Sequence, residues 1–131
     1  MNNESDEKII CKHEGCGNTC PPEREGSKGK IQARQCRTCS ILMSKYRLHN
    51  GDRKQMYKEQ GGLCFVCKKK IVFQGQTKKG DNGYSAAVLD HCHTTGKVGR
   101  LLCGACNLSI GQFSDSIEVL ESAIRYLKEF R

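Results

Sequence analysis

The chain is 131 residues long, 37% hydrophobic and without tryptophan, which excludes a large apolar core and leaves room for one ordinary domain or two very small ones. Lys and Arg number 22 against 14 acidic residues, a formal charge of +8, as expected of a protein with a polyanionic partner. Ten cysteines are present, and if eight of them hold two zinc ions as thiolates the net charge falls to about +4, so basicity alone argues only weakly for nucleic acid.

The opening "MNNESDEKII" is acidic, with a polar tail over residues 1–9. It lacks the apolar run of a secretory signal, and no later run approaches a membrane span, so a cytoplasmic protein with no membrane partner is expected. In a reducing compartment, closely paired cysteines point to zinc rather than to disulfides. From Cys11 to Cys39 the sequence "CKHEGCGNTCPPEREGSKGKIQARQCRTC" carries two cysteine clusters around a Pro/Gly/Lys-rich segment with no helical or strand period. The preferred ligands are Cys11, Cys16, Cys36 and Cys39, a C-x4-C facing a C-x2-C. Cys20, placed directly before Pro21-Pro22, is the main rival to Cys11, and His13 is a further available donor.

Next, "SILMSKYRLHNG" predicts a short helix with Ile41, Leu42, Tyr46 and Leu48 at helical spacing and a stop at Asn50-Gly51. "DRKQMYKEQGG" predicts a second one, capped by Asp52 and ended by Gly61-Gly62. After the Cys64/Cys67 turn, "KKKIVFQ" and "YSAAVLDH" read as strands flanking the loop "GQTKKGDNG", a long β-hairpin arm with Lys78 and Lys79 at its tip. "GKVGRLLC" reads as another strand, running into Cys103 and Cys106 and a helix that stops near Gly111. The final "SDSIEVLESAIRYLKEF" spaces Ile117, Leu120, Ile124 and Leu127 by three and four residues, an amphipathic helix behind a Ser114/Asp115 cap.

Cys64 and Cys67 with Cys103 and Cys106 form two C-x2-C pairs 35 residues apart, the spacing of a closed structural zinc site. Four thiolates satisfy that ion, so Asp90, His91, His93 and Asn107 require another explanation. The oxygen donors Asp90 and Asn107 suit Mg²⁺ or Mn²⁺, which keep positions open for a substrate phosphate. Asn107 directly follows Cys106, so the zinc turn fixes its side chain. His91 is the general-base candidate, since an imidazole exchanges protons near neutral pH. His93 can contact the phosphate, protonate a leaving group or orient a neighbour, and Cys92 reads as packing. Lys97 and Arg100 on the following strand, with Lys68, Lys69, Lys70, Lys78 and Lys79, are either backbone contacts for nucleic acid or solvated charges.

"CFVC", "LDHCHTTGKVGRLLCGACN" and the following "SIG" resemble the phage recombination endonuclease VII family, within the HNH or His-Me finger nucleases, over about Met56 to Phe130. The fold this implies is a small α+β zinc-stabilised protein. It has an N-terminal zinc-binding segment and helix over residues 10–50 and a ββα-metal nuclease domain over residues 51–131 that ends in the amphipathic helix. The activity it implies is metal-dependent DNA endonuclease, leaving a 5′-phosphate and a 3′-hydroxyl. Asp90 and Asn107 would then bind catalytic Mg²⁺ or Mn²⁺, His91 would be the general base, and His93 would support it. Cys64, Cys67, Cys103 and Cys106 would hold structural Zn²⁺, and with the N-terminal set that makes two zinc ions per chain.

One departure is local: relatives read "GKVRGLLC" where this chain has "GKVGRLLC", exchanging Gly99 and Arg100. Adjacent strand residues face opposite sides, so Arg100 is expected to point differently from its counterpart. The junction-cleaving member also carries a long C-terminal extension used in dimerisation and junction grip, and this sequence stops at Arg131. Duplex DNA is therefore the expected substrate, with nicking by a single copy or a double-strand cut by a homodimer, and a Holliday-junction resolvase as the alternative. A non-catalytic zinc-stabilised nucleic-acid-binding module is the rival from another class; it needs none of Asp90, His91 and Asn107. A zinc-dependent protein-interaction domain leaves the same three idle, and eight Tyr and Phe together give little sign of a base-stacking surface for RNA.

Overall fold

The computed structural model describes residues 10–20, 35–73 and 79–131. Its elements are α1 (Arg37–Tyr46), α2 (Asn50–Glu59), β1 (Ala87–His91), β2 (Val98–Cys103), α3 (Gly104–Gln112) and α4 (Ile117–Phe130). β1 and β2 form an antiparallel two-stranded sheet. With α3 directly following, they make the expected ββα unit in a small α+β protein.

The first helical boundary departs from its sequence signal. α1 ends where Arg47 takes a left-handed conformation (φ 58°) and its N–H closes on the Met43 carbonyl, a helix stop made without glycine. Asn50-Gly51, expected to end this helix, instead opens α2. Asn50 is fully buried; its backbone N–H points at Cys39 Sγ, 3.3 Å away, and its Nδ2 at Cys16 Sγ, 3.8 Å away. Gly51 is pressed against the backbone of the Glu14 turn, where an added Cβ would come within 2.1 Å of the Glu14 carbonyl oxygen. The pair that reads as a terminator is thus the point where α2 docks on the N-terminal cysteine cluster. Asp52 lies two residues inside the helix rather than at its cap, and its Oδ2 accepts the His49 N–H at 2.7 Å.

The expected hairpin arm does not form among the described residues. The segment after Cys67 makes single bridges, Leu63 with Lys70 and Val72 with Ala86, the latter parallel. Val72 donates to the Ser85 carbonyl and Ala87 to the Val72 carbonyl, at 2.8 and 2.9 Å. The true partner of β1 is β2, paired as Ala87 with Cys103, Val88 with Leu102, Leu89 with Leu101 and His91 with Val98. Alternating apolar residues occur in both segments, so sequence alone could not choose between them. The choice falls to the two cysteine pairs, which must meet and thereby pull "GRLLC" alongside "AVLDH".

One core lies between these elements: Leu42, Cys64, Ile71, Leu89, Leu101, Leu102 and Cys103, flanked by Tyr46, Met56 and Tyr57. The cysteine cluster is therefore part of the apolar core. Gln60, at the end of α2, ties it down: Nε2 donates to the Leu63 and Leu101 carbonyls and Oε1 accepts the Leu101 N–H, each at 2.9 Å. α4 is capped by Ser116, whose hydroxyl accepts the Val119 N–H; Ser114 and Asp115, expected to cap it, occupy the preceding turn with left-handed φ of 54° and 53°. No residue of α4 is buried.

Candidate active site

Both expected cysteine sets converge. Cys11, Cys16, Cys36 and Cys39 form one group and Cys64, Cys67, Cys103 and Cys106 the other, with ligand atoms within 4.8 Å of one another. Cys20, the rival for the first set, packs beside it without joining. A tetrahedral ion with Zn–S bonds of about 2.3 Å separates its sulfurs by about 3.8 Å. The observed separations are 3.6 Å for Cys16–Cys36, 3.4 Å for Cys39–Cys16 and 3.8 Å for Cys67–Cys103. These are far from disulfide bonding, which requires about 2.05 Å, and near what a zinc ion imposes.

The two clusters are built alike. In each, a C-x2-C opens a helix whose N-cap is the first cysteine: Cys36 Sγ accepts the Cys39 N–H at 3.4 Å, and Cys103 Sγ accepts the Cys106 N–H at 3.3 Å. A helix N-terminus favours negative charge, but at Cys103 burial and the neighbouring Cys64 and Cys67 sulfurs outweigh the Cys106 N–H and push the thiol up. In the second cluster burial opposes ionisation of Cys64, but backbone N–H groups of Cys103, Cys67 and Val66 outweigh it and bring the thiol down to about 6. Burial, hydrogen bonding to the neighbouring sulfurs and the charge on Cys64 push Cys106 up to about 12. Four sulfurs this close cannot all ionise by themselves; a divalent cation in their midst removes the conflict. The donor set thus fits Zn²⁺.

On the other side of α3 lies an open cleft of about 460 Å³, lined among others by Tyr46, Asp90, His91, His93, Asn107 and Asp115. Asp90 and His91 are consecutive on β1 and would normally face opposite sides. They share the cleft because pairing slips between Leu89 and His91, where Gly99 and Arg100 of β2 oppose the single residue Asp90. Such a bulge bends the ladder and re-aims side chains. Gly99 completes the arrangement, since a Cβ there would sit 2.9 Å from Asp90 Oδ2. Asn107 enters from the first turn of α3, immediately after Cys106, as its sequence position implied.

The imidazoles are held by their neighbours. The His91 ring lies 5.0 Å from that of Tyr46, and the His93 ring stands edge-on to His91 at 4.9 Å. His93 Nδ1 is 3.3 Å from Asp115 Oδ2. Tyr46 and Asp115 were not legible as site residues: one reads as a core position of α1, the other as a helix cap. Cys92, expected to pack, is exposed in the turn, where its sulfur accepts the Thr95 N–H at 3.4 Å. This bonding lowers its thiol pKa.

Lys97 is exposed beside the same turn, and Lys79 is exposed at the loop; Lys78 lies outside the described residues. Arg100 turns away from the cleft. It pairs with Glu59 at 3.6 Å and leans towards the Phe65 ring.

Residues 40–129 match recombination endonuclease VII. The chain belongs to that family. The endonuclease VII region contains the whole cleft and the second cysteine cluster, whereas Cys11, Cys16, Cys36 and Cys39 precede it. Among similar proteins are the Gene 59 proteins of two mycobacteriophages. That of L5 is 33% identical over 87 residues, covering 66% of this chain and 47% of the relative; that of D29 is 39% identical over 75 residues, covering 56% and 39%. The chain therefore spans less than half the length of these curated relatives. A solved structure, that of the β-β-α-Me type II restriction endonuclease Hpy99I, is 26% identical with a TM-score of 0.43, covering 95% of this chain and 66% of that one. Among the described residues no helix is long and apolar enough to cross a membrane.

Proposed function

We propose that this protein is a metal-dependent DNA endonuclease that hydrolyses a phosphodiester with His91 as general base and one divalent ion held by Asp90 and Asn107. The observation that carries this reading is that those three residues line one open cleft, Asp90 and His91 from β1 across its bulge and Asn107 from the start of α3. The donors fit Mg²⁺ or Mn²⁺: hard oxygens, with no hydrogen bond or ion pair engaging the Asp90 carboxylate among the described residues. The cleft also contains Asp115, and two carboxylates would repel a phosphate unless a cation stood between them.

The ion, when bound, supplies Lewis-acid stabilisation of charge on the phosphate. His91 takes a proton from the attacking water, and Tyr46 and His93 against its ring keep it aimed at the cleft. Cys103 and Cys106, with Cys64 and Cys67, would hold the structural zinc, and that anchorage at the start of α3 would keep the adjacent Asn107 in position. The products are a 5′-phosphate and a 3′-hydroxyl. Lys97 and Lys79 contact the DNA backbone, with Lys78 and Arg100 as further candidate contacts. The N-terminal segment over 10–50 acts as a zinc-binding accessory to the nuclease domain over 51–131, in the cytoplasm of the host cell.

Duplex DNA is the proposed substrate; branched DNA is the second reading, favoured by membership of a recombination endonuclease family. A homodimer is part of the proposal. α4 exposes Ile117, Ile124, Leu127 and Phe130, an apolar face that a second copy could cover. The deciding experiment incubates zinc-loaded protein with supercoiled plasmid and, in parallel, a synthetic four-way junction, with Mg²⁺ or Mn²⁺. Divalent-dependent cleavage that is lost in His91→Ala with both zinc ions retained supports the nuclease, and the preferred substrate separates the two readings. DNA binding without cleavage under either ion would overturn it in favour of a non-catalytic binding module.

A further inference from the structure

Asp115 enters the cleft from the turn between α3 and α4, and the turn is shaped to bring it there. Ser114 and Asp115 are both left-handed, a conformation that costs a side-chain-bearing residue roughly 1–2 kcal/mol. Aspartate is among the residues that visit this region through local hydrogen bonding, so the cost falls chiefly on Ser114. The turn is tied back by Ser114 N–H to the Gly111 carbonyl at 2.9 Å, Asp115 N–H to the Ile110 carbonyl at 3.2 Å and Ser116 N–H to the Phe113 carbonyl at 3.0 Å. Capping does not account for this geometry, because α4 is capped by Ser116. What the turn achieves is to set the Asp115 carboxylate 3.3 Å from His93 Nδ1, with both residues lining the space they share with Asp90, His91 and Asn107. Backbone held in a costly conformation beside such a cleft is the pattern of a functional constraint.

We propose that Asp115 is a positioning residue: it accepts the Nδ1 proton of His93, fixing the ring so that Nε2 is the nitrogen presented to a phosphodiester in the cleft. This rests on the nuclease reading for its role, though not for its geometry. A neutral imidazole carries its proton on one nitrogen, and the hydrogen bond made by that nitrogen decides which one. With Nδ1–H engaged by Asp115, the Nε2 lone pair faces the cleft; the same ring, when protonated, donates Nε2–H to a phosphate oxygen while keeping its orientation. The edge-on contact with His91 makes the effect reach the general base, because a His93 ring that turns freely no longer supports His91 on that side. An exposed pair of this kind adds little to folding stability, so its loss should show in the site rather than in the fold.

The test uses the zinc-loaded protein over all 131 residues. Long-range ¹H–¹⁵N spectra of the histidine side chains, recorded at mildly alkaline pH without Mg²⁺, report the His93 tautomer directly. The expected result is Nδ1–H in the wild type and a shift to Nε2–H in Asp115→Ala, with Asp115→Glu restoring part of the Nδ1–H form. In cleavage assays, Asp115→Ala and His93→Ala should each lower turnover on the order of ten- to a hundredfold, with no further loss when combined, as for residues acting as one unit. A wild-type His93 in the Nε2–H form, or additive losses in the double variant, would overturn the assignment. If the wild type cleaves no DNA, the nuclease reading fails by itself, and the tautomer still decides whether Asp115 orients His93.

Discussion

Replacing Gly99 with alanine adds a single carbon beside the Asp90 carboxylate. That carbon would lie 2.9 Å from Oδ2, whereas ordinary contact begins at 3.4 Å, so the oxygen must retreat by about 0.5 Å. Gly99 is outside the left-handed region and the obstructing atom is the tip of a movable side chain, so alanine suits the backbone there. The fold should lose no more than about 1 kcal/mol, a fall in Tm of at most about 5 °C. A metal site is less forgiving, since its ligands must be held to within about 0.5 Å. Mn²⁺ affinity should fall about tenfold, which is about 1.4 kcal/mol. Calorimetric titration of Mn²⁺ into the zinc-loaded variant measures the second quantity, and a thermal melt of the same sample measures the first. An unchanged Mn²⁺ affinity would refute the reasoning, and so would a collapse in Tm.

Gly51→Ala should behave in the opposite way. Its Cβ meets backbone, at 2.1 Å from the Glu14 carbonyl oxygen, so the contact between α2 and the N-terminal cluster must open, and zinc measured per chain should drop from two towards one. Leu101→Ala removes a fully buried side chain at the centre of the core and should cost about 2–5 kcal/mol, a large part of the stability of so small a domain; denaturant unfolding reads it. Cys67→Ser should release the second zinc and with it the order of Asn107, seen as loss of both metal content and Mn²⁺ binding. Arg100→Ala should change stability by less than about 1 kcal/mol, because its partner Glu59 is similarly exposed; a larger loss on denaturant unfolding would mean that the pair is structural.

The cysteine groups, the strand leading into Cys103, the helix at α3 and the candidates Asp90, His91 and Asn107 can all be read along the chain. These were legible because their chemistry is local: C-x2-C spacing, period and adjacency in the chain decide them. Asn107 follows a ligand directly, so its place was nearly fixed by covalent geometry. The remaining features depend on contacts between distant segments. Asn50-Gly51 reads as a stop, yet packing against Glu14 and the buried sulfurs makes it a start. The partner of β1 was ambiguous because two segments carry similar apolar alternation, and convergence of the cysteine pairs selects β2. Asp90 and His91 belong on opposite faces by strand parity, and a bulge opposite Gly99 and Arg100 puts them on one. Asp115 has no signature in the sequence at all, since its approach to His93 exists only once the turn after α3 has folded back on the cleft.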